Sequence, residues 1–145
     1  MLSHKAKYAL KALLYLAEQE EGHISRTIEI ADGANIPKKF LEQILLELRN
    51  AGLLYSIKGA KGGYSLNKDP KDIRLTQVIR LLDGPIALLP CVSLNFYQKC
   101  DECKSEEVCG IRDTFVGVRD AMLQILNDTS IADIIEKESS IGLNL

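Results

Sequence analysis

The stretch from Pro37 to Tyr64 constrains the fold of this 145-residue chain more than any other part of it. It begins with an amphipathic segment that ends at Gly52 and continues into a short glycine-rich run, Lys58–Tyr64. Proline suits the first helical position because its missing N–H would have no partner there, and glycine commonly follows a helix. Two short strands, Leu53–Ile57 and Tyr64–Leu66, are predicted around the glycine-rich tip, where positive φ angles are needed. The pattern predicts a helix followed by a β-hairpin.

Two further helices are predicted before this one. Ser3 is a candidate cap for a first helix that ends near Glu18, and Ser25 is a candidate cap for a short second helix. The turn at 33–35 leads into the third helix. The predicted buried stripe of the third helix is Phe40, Leu41, Ile44, Leu45 and Leu48. Two short helices joined by a sharp turn form a helix-turn-helix, and the hairpin makes the unit a winged helix.

The second half of the chain is predicted to be mainly helical. A helix over Leu75–Leu82 precedes the cysteines, a long helix follows them to about Asn127, and a short helix covers Ile131–Glu138. Apolar residues of the long helix recur at spacings of four and three, which is typical of a seam between helices. These residues are Ile111, Phe115, Val118, Met122 and Ile125. We expect this seam to form a dimer; packing on its own domain is the alternative.

The outer face of the third helix and the wing contain the candidate DNA-binding residues. They are Lys38, Lys39, Glu42, Gln43, Lys58, Gly59 and Lys61. Each is also a common surface residue, but the helix dipole disfavours cations at a helix start, so phosphate contact explains the two lysines there better. Glutamate can accept from cytosine N4, and glutamine can pair with adenine. The combination of these residues in a helix-turn-helix with a wing favours binding to double-stranded DNA.

The distribution of charge agrees with this interpretation. Residues 1–68 contain ten Lys or Arg and seven Asp or Glu, a net charge of +3, whereas residues 69–145 contain eight and thirteen, a net charge of −5. A chain with one part facing phosphate and another facing protein is expected to show such an asymmetry. We therefore expect a DNA-binding domain over 1–85, a cysteine-containing sensor loop over 86–110, a dimerisation helix and C-terminal helix over 111–138, and a flexible tail over 139–145.

Four cysteines follow the winged helix, with the spacing Cys91-x8-Cys100-x2-Cys103-x5-Cys109. Thiolates are soft ligands that suit an iron–sulfur cluster or zinc, and the unequal spacing favours the cluster over a zinc site of two knuckles. A thiol–disulfide switch of Cys100 and Cys103 is also open, since nearby lysines could lower a thiol pKa. Four unrelated reduced cysteines are the remaining interpretation. The first three interpretations make this loop a candidate sensor.

Other functional classes have less support in the sequence. No secretory signal or membrane span is predicted, so a cytoplasmic protein is expected. The two histidines, His4 and His23, are isolated, and no catalytic triad or phosphate-binding loop is visible. An enzyme is therefore not expected. A small thiol oxidoreductase using Cys100 and Cys103 is the alternative from that class, but no thioredoxin-like βαβ pattern surrounds the pair. A winged-helix module that binds only protein is another alternative.

Five segments resemble one bacterial family: Tyr8–Leu13, Phe40–Ile44, Leu48–Leu53, Gly59–Tyr64 and Leu82–Pro85. It is the Rrf family of winged-helix transcription regulators, which includes IscR, NsrR and CymR. The resemblance extends to about Lys137. It implies a cytoplasmic homodimer whose long helices cross and whose two winged helices bind a palindromic operator. It also implies that Glu42 reads bases with Lys39 beside it, and that Lys58 occupies the wing position that enters the minor groove.

The resemblance also bears on the cysteines. Members of the IscR and NsrR type hold an iron–sulfur cluster on three cysteines, and Cys91, Cys103 and Cys109 fall on these positions. Arg112 replaces a histidine that serves as fourth ligand in IscR, and Lys7 replaces a first-helix acid used by other members. These departures make the additional Cys100 the natural fourth ligand. They leave zinc, a disulfide switch or a cluster-free, CymR-like regulator open.

Overall fold

The computed structural model describes residues 1–143. Within them the chain forms six α-helices and one antiparallel pair of strands. The elements are α1 (His4–Ala17), α2 (Thr27–Ala34), α3 (Lys38–Asn50), β1 (Leu54–Ile57), β2 (Gly63–Leu66), α4 (Leu75–Asp83), α5 (Gly110–Asp128) and α6 (Ile131–Leu143). The fold is therefore mainly α with a small β-wing, as the sequence predicts, and the predicted helices and strands start within a residue or two of those observed.

The core of the winged helix is built around α1. Its small side chains allow neighbouring helices to approach, and Ala9, Ala12 and Leu13 are fully buried. The helix starts where predicted, because the Ser3 hydroxyl accepts a hydrogen bond from the N–H of Ala6. The N–H of Ser3 in turn donates to Asp83 at 2.9 Å, which fastens the start of α1 to the end of α4.

The second helix begins differently from the prediction. Arg26, and not Ser25, occupies the capping position, and the Glu29 carboxylate accepts from the N–H of Arg26 at 2.6 Å. Ser25 is fully buried and exchanges two backbone hydrogen bonds with Tyr64, at 2.9 and 2.8 Å. This residue therefore extends the wing sheet as an isolated bridge. Because this long-range pairing holds Ser25 in the sheet, the capping position of α2 is occupied by the next residue, Arg26.

The bridge makes Gly63 indispensable to the wing. A Cβ at this position would collide with the backbone carbonyl of Ser25. We expect Gly63→Ala to lower the free energy of unfolding by about 1–3 kcal/mol, the usual cost of overpacking. Urea unfolding followed by circular dichroism measures this loss. Gly117→Ala, where a Cβ meets nothing within 4 Å, is the matched control, and equal stability of the two variants would contradict the expectation.

The last helix returns to the winged helix. Ile131 is fully buried, and its N–H donates to the carbonyl of Ile73 at 3.0 Å. The helix extends to Leu143, which corrects the predicted end at Glu138 and the expected flexible tail over 139–143. The hydroxyls of Ser139 and Ser140 donate to carbonyls four residues earlier, a bond that lets serine remain within a helix. Residues 144–145 of the predicted tail lie outside the described residues.

Candidate nucleic-acid interface and cysteine pocket

The outer face of α3 is polar and open to solvent. Leu41, Ile44, Leu45 and Leu48 are buried, as the stripe predicts. Lys38, Lys39, Glu42 and Gln43 are all exposed in the first two turns. The preceding turn is fixed by Asn35, which adopts a left-handed backbone with φ of 52°. The four residues proposed from the sequence are therefore available to a partner at the N-terminal end of α3.

Phe40 does not belong to the buried stripe, which corrects the sequence prediction. Its side chain is 47% exposed, although the residue next to it in the chain, Leu41, is fully buried. The α-helical rotation of about 100° per residue places Phe40 at the flank of the stripe, toward α1. There its ring stacks on Tyr8, with 6.1 Å between centroids. Sequence spacing alone could not separate this flank from the core.

A polar network from α1 holds part of the α3 face. The Lys5 ammonium lies 2.6 Å from the Glu47 carboxylate, which also accepts from the Gln43 side-chain amide at 3.1 Å. The amide of Gln43 is thereby oriented before any partner binds. The hydrogen bond from Lys5, followed by that from Gln43, lowers the pKa of Glu47. The sequence did not reveal this role of Lys5 and Glu47, because the two residues are 42 positions apart.

The lowered pKa of Glu47 predicts how stability depends on pH. A carboxyl with a lower pKa in the folded state stabilises the fold above the unfolded value of about 4.5, and this contribution is lost as pH falls through the folded pKa. We expect Glu47→Gln to lower the melting temperature at pH 7, and the difference from wild type to shrink below pH 4.5. The exposed Glu21→Gln is the control. A deficit that is constant from pH 7 to pH 3 would contradict the assignment.

The wing places its cations at a tight glycine turn. Lys58, Gly59 and Lys61 are exposed between β1 and β2. Gly59 has a φ of 109°, and its carbonyl accepts from the N–H of Gly62 at 3.0 Å. The wing is joined to α3 by a contact of 3.4 Å between the Arg49 guanidinium and the Ser56 hydroxyl. The reading helix and the wing residues proposed from the sequence thus lie on one connected unit.

All four cysteines line one cavity of about 410 Å³ between the loop and the start of α5. Cys91 is buried, and the other three are half-buried. Two contacts hold the loop. The Tyr97 hydroxyl donates to Glu106 at 2.5 Å, and the Arg119 guanidinium of α5 donates to the Val92 carbonyl at 2.6 Å. The loop is therefore fastened to the helix that follows it.

The environments of the three loop thiols differ. Cys109 caps α5, and the hydrogen bond that its sulfur accepts from the N–H of Arg112 lowers the pKa of its thiol. The pKa of Cys100 is raised, mainly because its thiol donates to Glu102 at 3.3 Å. Desolvation is the main cause of the raised pKa of Cys103, and the neighbouring Cys109 thiol raises it further. The sequence-based prediction that nearby lysines lower a thiol pKa in the Cys100 and Cys103 pair is therefore wrong, because the pKa of each of the two thiols is raised.

The cysteines do not form a preassembled metal site. Within residues 1–143 no group of three or more His, Cys, Asp or Glu side chains is close enough to hold one ion. The chemistry of the cavity still fits a soft metal centre, since four sulfur donors line it. Arg112 lines it too, and the Nε of this residue is buried without a hydrogen-bond partner among the described residues. An unpaired donor beside four thiols is a place where a negatively charged sulfur centre would be stabilised.

The long helix α5 has an apolar face that the described residues leave partly uncovered. None of its 19 residues is buried. Ile111 and Ile125 are each 66% exposed and Val118 is 36% exposed. The alternative that the predicted seam packs on its own domain therefore fails for these three residues. In the described part of the chain no helix is both long enough and apolar enough to cross a membrane.

Fold and surface define a winged-helix protein with an exposed polar face on α3 and a cysteine-lined pocket at the start of α5. The profile of the Rrf2 family, described as iron-dependent transcriptional regulator, matches residues 2–137. The chain belongs to the Rrf2 family of transcriptional regulators, as its motifs predict, and it is not an enzyme.

Individual proteins agree with this assignment. A Rhodobacter capsulatus protein, named as a candidate rrf2-like transcriptional regulator, is 44% identical over 138 residues, which cover 93% of this chain and 92% of that one. The structure of CymR, the global cysteine regulator of Bacillus subtilis, has a TM-score of 0.77 at 30% identity and covers 94% of this chain and 97% of its own. The structure of IscR from T. potens has a TM-score of 0.74 at 26% identity, with 95% and 88% covered.

Proposed function

We propose that the protein is a homodimeric transcription regulator that binds a palindromic operator, and that the state of its four cysteines controls this binding. The observation that carries the proposal is the exposed first half of α3. Lys38 and Lys39 stand at a helix start, where the dipole does not favour cations, and neither forms an ion pair with a carboxylate of the described residues. Phosphate oxygens of duplex DNA satisfy both charges.

Each exposed residue has a role in this proposal. Glu42 accepts from cytosine N4 in the major groove, and Gln43, oriented by Glu47, pairs with adenine. Lys39 contacts the adjacent phosphate. In the wing, Lys58 enters the minor groove or contacts its backbone, Lys61 adds a second cation, and Gly59 permits the tight turn between them.

The dimer is supported by α5. Its uncovered apolar face is what one helix offers to an identical helix, and two copies crossing along this face would bury it. A symmetric pair of winged helices then matches a palindrome, since half-site spacing follows from the distance between the two reading helices. A regulator of this kind acts in the cytoplasm, where its DNA is.

The cysteine pocket is proposed as the sensor. The family description names iron, and Cys91, Cys100, Cys103 and Cys109 would hold an iron–sulfur cluster, which supplies a centre that responds to oxidants by changing charge or by loss. The chain's own contribution is the loop that must close around it, the cap at Cys109 and the unpaired Nε of Arg112. Zinc in the same pocket is the alternative that the thiols equally permit.

A cluster-free sensor is the second candidate, and one observation favours a specific form of it. Cys103 and Cys109 line the same cavity and each perturbs the pKa of the other, and it is Cys109 that has the lowered pKa. A two-electron oxidant such as hydrogen peroxide would convert these two thiols to a disulfide and would itself be reduced to water. The pair in this alternative is Cys103 with Cys109, in place of the Cys100 and Cys103 pair that the spacing indicated.

A change at the cysteines, with either kind of sensor, would be transmitted to DNA binding through α5. The Arg119 guanidinium joins the loop to this helix by its bond to the Val92 carbonyl, and the Cys109 cap forms the first turn of the helix. A loop that opens or closes therefore reorients α5, and with it the spacing of the two reading helices. A coupling of about 1–3 kcal/mol changes operator affinity by one to two orders of magnitude.

Purification without oxygen tests the sensor half of the proposal. Absorbance in the visible range with iron and sulfide in stoichiometric amounts supports the cluster, and zinc alone supports the alternative metal. A colourless, metal-free protein after reconstitution rejects both and leaves the disulfide, which mass spectrometry after peroxide treatment detects. Serine substitution of each cysteine in turn then identifies the residues required.

Operator binding is tested separately with the variants Lys39→Ala, Glu42→Ala and Lys58→Ala on an operator fragment. Unchanged affinity in all three rejects the proposed DNA-binding face of α3 and the wing.

A further inference from the structure

An apolar recess lies beside the exposed face of the reading helix. It has a volume of about 500 Å³ and separates the start of α1 from the first turns of α3. Its lining residues are His4, Lys5, Tyr8, Lys39, Phe40, Gln43 and Ile44. Phe40 stands at its edge with nearly half of its side chain in solvent. Packing in the core therefore does not explain why an aromatic residue stands in the first turn of α3.

The ring of Phe40 is held in place from two sides. Tyr8 stacks on it with an interplanar angle of 27°, and His4 lies next to Tyr8 with 6.0 Å between the centroids. The Lys39 ammonium lies 4.7 Å from the centroid of the Phe40 ring. A ring restrained in this way loses little conformational freedom when it contacts a partner. Because Lys39 lies over the ring, the phosphate contact proposed for this lysine would also bring the ring close to duplex DNA.

We propose that Phe40 contacts the 5-methyl group of a thymine in the major groove and so selects an A·T pair beside the base read by Gln43. The inference rests on the proposed function. Thymine is the base that presents a methyl group in this groove, and phenylalanine is among the side chains suited to it. Phe40 and Gln43 are three residues apart and therefore neighbours on the helix surface. The amide of Gln43, oriented by its bond to Glu47, suits adenine, so the two side chains would read neighbouring base pairs.

Replacement of thymine by deoxyuridine tests this contact, because it removes the methyl group and leaves base pairing intact. The probe is the duplex that wild-type protein selects from a random DNA library, with each thymine replaced in turn at both symmetric positions. We expect removal of one particular thymine methyl, at both symmetric positions, to lower affinity about fifteenfold, that is about fourfold for each of the two buried methyl groups. Phe40→Ala should weaken binding to the unmodified duplex by a similar factor and should respond no further to deoxyuridine at that position.

Two control variants separate this contact from a general loss of apolar surface or of fold. Ile141→Ala, an exposed apolar residue of α6, should keep the wild-type response. Phe40→Gln, which removes the ring but retains a good helix former, should reproduce the flat response of Phe40→Ala. Wild-type affinity that is unchanged by every deoxyuridine overturns the inference while leaving the proposed function intact, as does a Phe40→Ala variant with wild-type sensitivity. A wild-type protein that selects no DNA sequence overturns both.

Discussion

Replacing Val118 by aspartate is expected to convert the protein to a monomer and to weaken operator binding by at least about a hundredfold. In a dimer formed along α5, the new carboxylate would be buried in an apolar seam and would face its own copy. Loss of the dimer also removes the second half-site contact, and linked binding of this kind commonly contributes a factor of 10²–10⁴. The monomer should remain folded, because Val118 is 36% exposed in the single chain.

Analytical ultracentrifugation and operator titration measure the two effects on the same sample. Gln124→Asp adds the same charge to α5 on the side away from the seam, and it should leave both the dimer and the affinity unchanged. A Val118→Asp protein that remains dimeric and binds the operator normally would show that α5 does not form the interface. Dissociation of both variants would indicate a general effect of charge on the helix.

Replacing Glu42 by alanine is expected to lower operator affinity about tenfold to a hundredfold and to relax the preference for cytosine at one position in each half-site. A good side-chain contact to a base edge contributes about 1–3 kcal/mol to discrimination against the wrong base. Glu42 is exposed on α3, so its removal should not disturb the fold. Competition between operators with each base at the contacted position measures the change.

Two comparisons make the Glu42 result specific. Glu21→Ala removes the same charge from an exposed residue before α2 and should bind as wild type does. Lys58→Ala should weaken binding to all sequences alike and reduce its salt dependence, since it removes a phosphate contact and not a base contact. A Glu42→Ala variant that binds all sequences more tightly, without a changed preference, would show that the carboxylate only repels DNA.

The elements that sequence predicts well here depend on local chemistry. The cap at Ser3, the proline before α3 and the glycine after it act over a few residues, and the start of α1 and both ends of α3 follow from them. Long-range contacts explain the failures. Tyr64 pairs with Ser25 across 39 positions and displaces the predicted cap of α2. Phe40 stacks on Tyr8 of α1 beside the core, a contact that the pattern of apolar residues in α3 alone does not encode.

The candidate sites likewise contain features that local sequence predicts and features that depend on contacts in the folded chain. Exposed Lys38, Lys39, Glu42 and Gln43 follow from the period of one amphipathic helix, and the structure places them as predicted. The cysteine spacing identifies the loop, but the distances between thiols depend on how Arg119 and Tyr97 anchor it. The order of thiol pKa values depends on individual hydrogen bonds, above all the one that Cys109 accepts at the start of α5. Such contacts exist only in the folded loop.

Operator affinity measured in two sensor states tests whether the state of the four cysteines controls DNA binding. One sample is kept without oxygen after reconstitution, a second portion is oxidised, and both are titrated with the selected operator and with a scrambled duplex at the same salt concentration. We expect the two samples to differ in affinity by about tenfold to a hundredfold for the operator and little for the scrambled duplex. Equal operator affinity in both states, with the cysteines shown to have changed, would contradict this expectation.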